Sequence, residues 1–320
     1  MRDVAAAFGL TIESSFAVPG LRPAAAGRPL PDRRCRLLLE DARVLDRDWP
    51  FGEDERVQEE SFEEDIEPAR TIDRHPELGY RLYARHFGLA RVSADGTEVR
   101  CAPPEVEPWR WQRFLVGRIL PIAAVLQGLE GFHASAVAWD GRAMAVLGPS
   151  GGGKSSIALR LLLRGASFVT DDVLVLEPGA DGVIAHAGPG VVGVRGPEEL
   201  ALGRTALELA GRVLGRSDKA YLEVERASGP VALDALYFLR GGAVAEVREP
   251  TQTDPLALLA STFVTSLWTP ERQRNHLDLC ARLASSVPSY ELIRPPDSDA
   301  DELAAAIEAH ARARNMEAAA

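Results

Sequence analysis

Cysteine is scarce in this chain: three in 320 residues, Cys35, Cys101 and Cys280, far apart in sequence. They have neither the paired spacing of a zinc site nor the density of a disulfide framework, so they are expected to be reduced thiols. Positive charge is in deficit too. With 36 Lys and Arg against 47 Asp and Glu the net charge is -11, which opposes the broad positive field that nucleic acids or anionic membranes require, and neither is expected as a partner. A long hydrophobic run is also missing. The longest apolar stretch, Phe114 to Leu129, is interrupted by Arg118, Pro121 and Gln127, short of the roughly 20 residues that span a bilayer. No basic-then-apolar leader opens the chain, so a cytoplasmic location is expected. No internal repeat is visible.

What is present is ample apolar content, 46% of the chain, enough to bury a core as one large or two unequal domains. Residues 1 to about 70 offer little periodic apolar signal in the runs Arg22 to Arg34 and Glu53 to Glu67, and read as loop-rich. Alternation between Gly79 and Val99, with Asp95-Gly96 as a turn, predicts short antiparallel strands. A small β-containing N-terminal domain, 1–108, is therefore expected, with a larger α/β domain over 109–320. Pro103, Pro104 and Pro108 mark the break, and Trp109 to Leu129 follows with helical spacing and a kink expected at Pro121. Strands are predicted over Ala134–Ala138 and Ala143–Leu147 around an Asp140-Gly141 turn. A helix over Ser155–Arg164, a strand over Ala166–Thr170 and a hairpin flanking Pro178–Gly182 come next. After Gly- and Pro-rich chain to Pro197, a strand is predicted over Ala235–Leu239. Helices are predicted over Asp254–Leu267, Arg272–Ala284 and from a Ser298 cap to about Arg314.

Between the second strand and its helix lies Gly148-Pro149-Ser150-Gly151-Gly152-Gly153-Lys154-Ser155, which fits G-x-x-x-x-G-K-[ST] in the strand–loop–helix context the pattern needs. Glycines let successive backbone N–H groups point into one concavity, and the helix start adds its positive end. Gly148, Ser150, Gly151, Gly152, Gly153, Lys154, Ser155 and Ser156 are thus expected to bind a nucleoside triphosphate, ATP. Lys154 would neutralise the β and γ phosphates, and the Ser155 hydroxyl would ligate Mg²⁺.

Two acids, Asp171 and Asp172, end a short strand beyond the loop helix. A strand parallel and adjacent to the loop strand would deliver them beside the γ-phosphate, on opposite sides if strand geometry continues. One carboxylate could hold Mg²⁺ while the other accepts the proton of an attacking hydroxyl. His133, opening the strand before the loop strand, would sit near the same end of the sheet and could orient a carboxylate or a phosphate.

His133, the loop, Arg164-Gly165 and Asp171-Asp172, in this order and spacing, resemble the catalytic domain of HPr kinase/phosphorylase. The resemblance runs from Gly131 to about Leu200, extends weakly to about Pro295, and does not reach the N-terminal domain. It implies the compact phosphate-loop kinase fold related to phosphoenolpyruvate carboxykinase. It further implies that Lys154 and Ser155 hold triphosphate and metal, that Asp172 deprotonates a serine hydroxyl, and that Asp171, also a metal ligand, and His133 support it. The family's Leu-Glu-Ile-Arg-Gly segment has as its nearest match Val192-Gly193-Val194-Arg195-Gly196, glycine standing for glutamate, which argues against a phosphorolytic reverse reaction. The chain looks closer to the HPr kinase-like proteins associated with ribosomally made peptides, some of which phosphorylate a serine of a precursor peptide. A peptide or protein bearing a serine hydroxyl is therefore the expected acceptor, and a homo-oligomer is among the expectations. The alternatives are a non-catalytic nucleotide-binding scaffold or sensor and a motion-coupled ATPase; Arg240 at the end of the later strand offers the latter no second acidic metal site. Lys219 and Arg195 are set aside as cations of the kind usually just solvated.

Overall fold

The computed structural model describes residues 3–23, 29–61, 68–180, 182–249, 255–296 and 298–319. The protein is mixed α/β with several sheets, and it divides into two compact units, Met1–Gly131 with Val264–Asn275, and Phe132–Phe263 with His276–Ala320.

The first unit is built on one sheet. Its strands are β1 (Asp3–Ala7), β2 (Leu10–Ser14), β3 (Arg34–Leu39), β4 (Glu55–Glu60), β5 (Arg70–His75), β6 (Gly79–Ala84), β7 (Gly88–Val92) and β8 (Glu98–Ala102), in the order β1-β2-β3-β8-β7-β6-β5-β4. β2 and β8 both run parallel to β3; the other pairs are antiparallel. The expected strands between Gly79 and Val99 and the Asp95-Gly96 turn are present. The loop-rich reading of residues 1–70 is corrected: β1 to β4 and the short helix α1 (Ala42–Arg47) occupy it, while residues 24–28 and 62–67 lie outside the described residues. Strands of five or six residues rich in Ala, Arg and Glu carry little alternation of their own, and neighbouring strands supply the partners that define them.

The expected kink at Pro121 takes another form. Helix α2 (Pro108–Phe114) passes into a wide π-turn at Leu115–Ile119, where Leu120 N–H reaches back to Leu115 O, and α3 (Leu120–Leu126) follows with proline in its first turn. Proline has no N–H to give and clashes with the carbonyl four residues back, and the wide turn before it absorbs both problems. Cys35 and Cys101 are free and buried, and burial pushes both thiols up to about 12, out of reach of ordinary thiolate chemistry.

After β9 (Glu130–Phe132), where the units divide, the second unit begins with β10 (Ala134–Trp139) and β11 (Arg142–Leu147). Asp140 and Gly141 both take positive φ, 49° and 75°, the geometry of a two-residue hairpin turn. Helix α4 (Lys154–Leu163), β12 (Ser167–Thr170), β13 (Leu174–Gly179), β14 (Gly182–His186) and β15 (Val191–Val194) follow, then α5 (Gly196–Ala210), β16 (Gly211–Arg216), β17 (Ala220–Val224) and β18 (Val231–Gly241). The chain ends with β19 (Glu246–Arg248), α6 (Pro255–Ala260), α7 (Pro270–Ser286), which crosses from one unit to the other, β20 (Ser289–Arg294) and α8 (Ala300–Ala319). In the main sheet β18 lies parallel to β11, and its far edge pairs first with β14 and then with β20, again parallel.

Alternate residues of β10 and β11 face opposite ways. Ala134, Ala136, Ala145 and Leu147 pack with Leu258 of α6 and Leu279 and Leu283 of α7, whereas Val137, Met144 and Val146 pack with Ile157 and Leu161 of α4 and Leu303 and Ile307 of α8. Covering a sheet on both faces demands the near-continuous apolar runs from which these strands were legible. A small sheet, β15-β17-β16, packs its Val192, Val194, Leu222 and Val224 against Leu159 and Phe168.

Expected boundaries move: the strand expected over Ala235–Leu239 runs Val231–Gly241, and the last helix continues past Arg314 to Ala319. Helix α6 stops at Ala260 rather than Leu267, and Asp254, its expected start, is outside the described residues. Ser298 turns its hydroxyl back to Pro295 O, and Asp299 instead caps α8, accepting from Glu302 N–H at 2.8 Å.

Candidate functional site

Register brings the site together. Leu147, Phe238 and Glu291 stand side by side on the three parallel strands β11, β18 and β20, so the loop that begins at Gly148 and the residue Arg294 emerge at one sheet edge. Ala134 pairs with Leu147, which sets His133 at the same edge. The loop ends at Gly153, φ 97°, and no side chain caps the first turn of α4. Its N–H groups and the positive end of the helix are left for an anion. Gly148 permits a close approach, since an added Cβ would stand 2.9 Å from Leu239 Cβ.

Lys154 is buried and its ammonium is fully engaged: with Gly148 O at 2.9 Å, Pro149 O at 3.0 Å and His133 Nε2 at 3.0 Å. The other ring nitrogen, His133 Nδ1, is 3.0 Å from Asp172 O. A carbonyl oxygen only accepts, so Nδ1 carries the proton and Nε2 turns its lone pair to the ammonium. Burial pulls the Lys154 pKa below the ordinary lysine value; the Asp172 and Asp171 carboxylates oppose that shift and Lys219 adds to it.

His133 is itself clamped by the three residues after α6. Its N–H donates to Ser261 O at 2.6 Å, its ring stacks on Phe263, and Phe132 forms a β-bridge with Thr262. Thr262 Oγ1 donates to Leu259 O, so the buried His276 must be the donor in its 2.8 Å contact from Nε2 to Thr262 Oγ1.

The acids arrive by a route other than the one expected. β12 pairs with β10, not β11; two antiparallel steps make it parallel to the loop strand with β10 in between. Strand geometry does not continue through the pair. β12 stops at Thr170, and Asp172 takes φ 63°, a left-handed conformation that aspartate tolerates better than most residues and that clusters at functional sites. Asp171 turns inward, accepting from Ser135 Oγ at 2.6 Å and Gly193 N–H at 3.3 Å, while Asp172 faces the cleft. Burial first, then the neighbouring Asp172 charge, raises the Asp171 pKa to about 6, against the pull of hydrogen bonds from Ser135, Ser155 and Gly193.

Because that folded value lies above the unfolded one, Asp171 favours the folded state while protonated, and the contribution is lost as pH rises through about 6. The ligand-free protein is expected to gain in melting temperature relative to Asp171→Asn as pH falls from 7 to 5. A gap between the two proteins that is the same at both pH values would contradict this origin of the shift.

A cleft of about 300 Å³ opens between the loop and the small sheet. Of the expected residues, His133, Ser150, Gly151, Gly153, Lys154, Ser155, Ser156 and Asp172 line it. Gly148 and Gly152 contribute backbone, Gly148 O to Lys154 and Gly152 O to Arg294 Nη1 at 2.5 Å, and Asp171 stands behind the wall. Gly193, Arg195, Pro197, Glu198, Lys219 and Arg294 complete the lining.

No family model matches the chain, and no curated protein matches it. The structure of the Hpr(Ser) kinase/phosphatase from Coxiella burnetii is similar to it over 58% of this chain and 99% of that one, at 11% identity and a TM-score of 0.33.

Sequence reasoning set Lys219 and Arg195 aside and missed Arg294, Ser135 and the Ser261–Phe263 clamp. Arg195 and Lys219 carried a signal in their glycine-rich and turn surroundings. The others carried none, since strand pairing and a returning loop bring them in. Among the described residues no group of three or more His, Cys, Asp and Glu could hold a metal ion, and no helix is long and apolar enough to cross a membrane.

Proposed function

We propose that the cleft binds ATP and transfers its γ-phosphoryl group to the serine-type hydroxyl of a peptide or protein. The observation that carries this reading is the convergence of Lys154, His133, Asp171 and Asp172 on the mouth of one glycine loop, where each has a task in phosphoryl transfer. Loop N–H groups and the start of α4 hold the β and γ phosphates. Lys154 then exchanges its two loop carbonyls for phosphate oxygens, and His133 keeps the ammonium aimed.

Asp171 and Ser155 suit Mg²⁺: both present oxygen, the Ser155 hydroxyl is near enough to Asp171 to oppose the rise of its pKa, and a nucleotide-bound Mg²⁺ takes only one or two carboxylates besides phosphate oxygens and water. Bound there, the ion would neutralise phosphate charge. Asp172, free of the inward bonds that hold Asp171, accepts the proton of the attacking hydroxyl. The bond from the hydroxyl oxygen to the γ-phosphorus forms, the bond from that phosphorus to the β-γ bridging oxygen breaks, and ADP leaves.

The test is transfer of labelled γ-phosphate from ATP with Mg²⁺ to serine-containing peptides. Label on serine supports the reading. Tight ATP binding with no transfer to any peptide, protein or small alcohol would favour a nucleotide-binding scaffold.

A further inference from the structure

The cations of the cleft are not equivalent. Lys154 has three partners, and Arg294 donates to Gly152 O. Neither the exposed Arg195 nor Lys219, half-buried just ahead of β17, has a side-chain hydrogen bond or ion pair among the described residues. A charge left partly desolvated and unpaired is unfavourable unless an anion joins it.

Gly193 determines where that charge lies. It faces Tyr221 across β15 and β17, and a Cβ added to it would stand 2.9 Å from Lys219 Cδ and 3.5 Å from Nζ. The lysine stem thus occupies the space a side chain at 193 would take. Gly193 also gives its N–H to Asp171 Oδ2 at 3.3 Å, so one residue touches the acid pair with its amide and Lys219 with its bare face. The ammonium is close enough to the phosphate lysine to lower its pKa.

We propose that Lys219 is a second phosphate-binding cation, admitted to the cleft by the missing side chain of Gly193, that contacts the phosphoryl group in transit. The loop and Lys154 hold the nucleotide from one wall. Lys219 approaches from the other, beside the acids, where negative charge on the three equatorial oxygens must be met as the group moves. This inference rests on the phosphotransferase reading.

The experiment compares binding of ADP with Mg²⁺, alone and with aluminium fluoride, which mimics the planar phosphoryl group, in the wild type, Lys219→Met and Gly193→Ala. Both substitutions are expected to weaken the aluminium fluoride complex on the order of 10²-fold more than they weaken ADP–Mg²⁺ binding, and the binding of ADP–Mg²⁺ by both variants shows them to be folded. Gly193→Ala retains the charge but displaces it, so agreement between the variants locates the effect in the position of the ammonium. Tightening by aluminium fluoride that is equal in all three proteins or absent from all three, or an equal loss in both complexes, overturns the proposal for Lys219. A wild type that binds no nucleotide overturns the phosphotransferase reading itself.

Discussion

Asp172→Asn is expected to lower kcat by about 10²- to 10⁴-fold, the range for loss of a general base, with nucleotide affinity nearly unchanged. The substitution suits the question because it disturbs little else. Residue 172 has φ 63°, and asparagine, like aspartate, tolerates left-handed backbone, where alanine would add strain. The contact that position 172 makes with His133 runs through its carbonyl oxygen, so the His133 tautomer and the hold on Lys154 persist. Single-turnover transfer and ATP titration on the same preparation give the two readouts. An Asp172→Asn enzyme with unchanged kcat would remove the base from this residue, and one that loses ATP binding as well would make Asp172 a binding residue instead.

Lys154→Ala acts on the other side of that division. It is expected to weaken ATP binding on the order of 10²-fold, because charge-assisted hydrogen bonds to phosphate are each worth about 1.5–3 kcal/mol and the ammonium first gives up contacts of its own. Those contacts are Gly148 O, Pro149 O and His133 Nε2, so the net gain is smaller than the gross. Loss of the lysine also frees the His133 lone pair, takes the ammonium from Gly148 O and leaves Pro149 O only its bond from Gly152 N–H, which predicts a looser loop in the ligand-free protein, read as faster amide exchange over residues 148–153. Calorimetric titration with ATP and Mg²⁺ measures the first effect; equal affinities in wild type and variant would place the phosphates elsewhere.

The glycine loop was readable because it is local: eight consecutive residues specify a turn and a helix start without any distant partner. The hairpin around Asp140-Gly141 was readable for the same reason, and it carried with it the position of His133. The acid pair was found by proximity in sequence, but its geometry was not. The pattern of a short strand cannot announce that β12 pairs with β10 or that the chain turns left-handed at Asp172, where Ser135, Gly193 and His133 hold the acid pair by hydrogen bonds.

Sequence alone therefore determined that the chain has a strand–glycine loop–helix with two acids and a histidine within forty residues of it, because short-range backbone geometry and residue chemistry settle those features. Tertiary structure decided which acid faces the cleft, which histidine nitrogen meets Lys154, and that Lys219, Arg195 and Arg294 join the site. Those outcomes depend on strand register and on which side chains fill or vacate a shared space, as at Gly193. They also decided the fold of the first hundred residues, where short polar strands acquire their identity only from the neighbours they pair with.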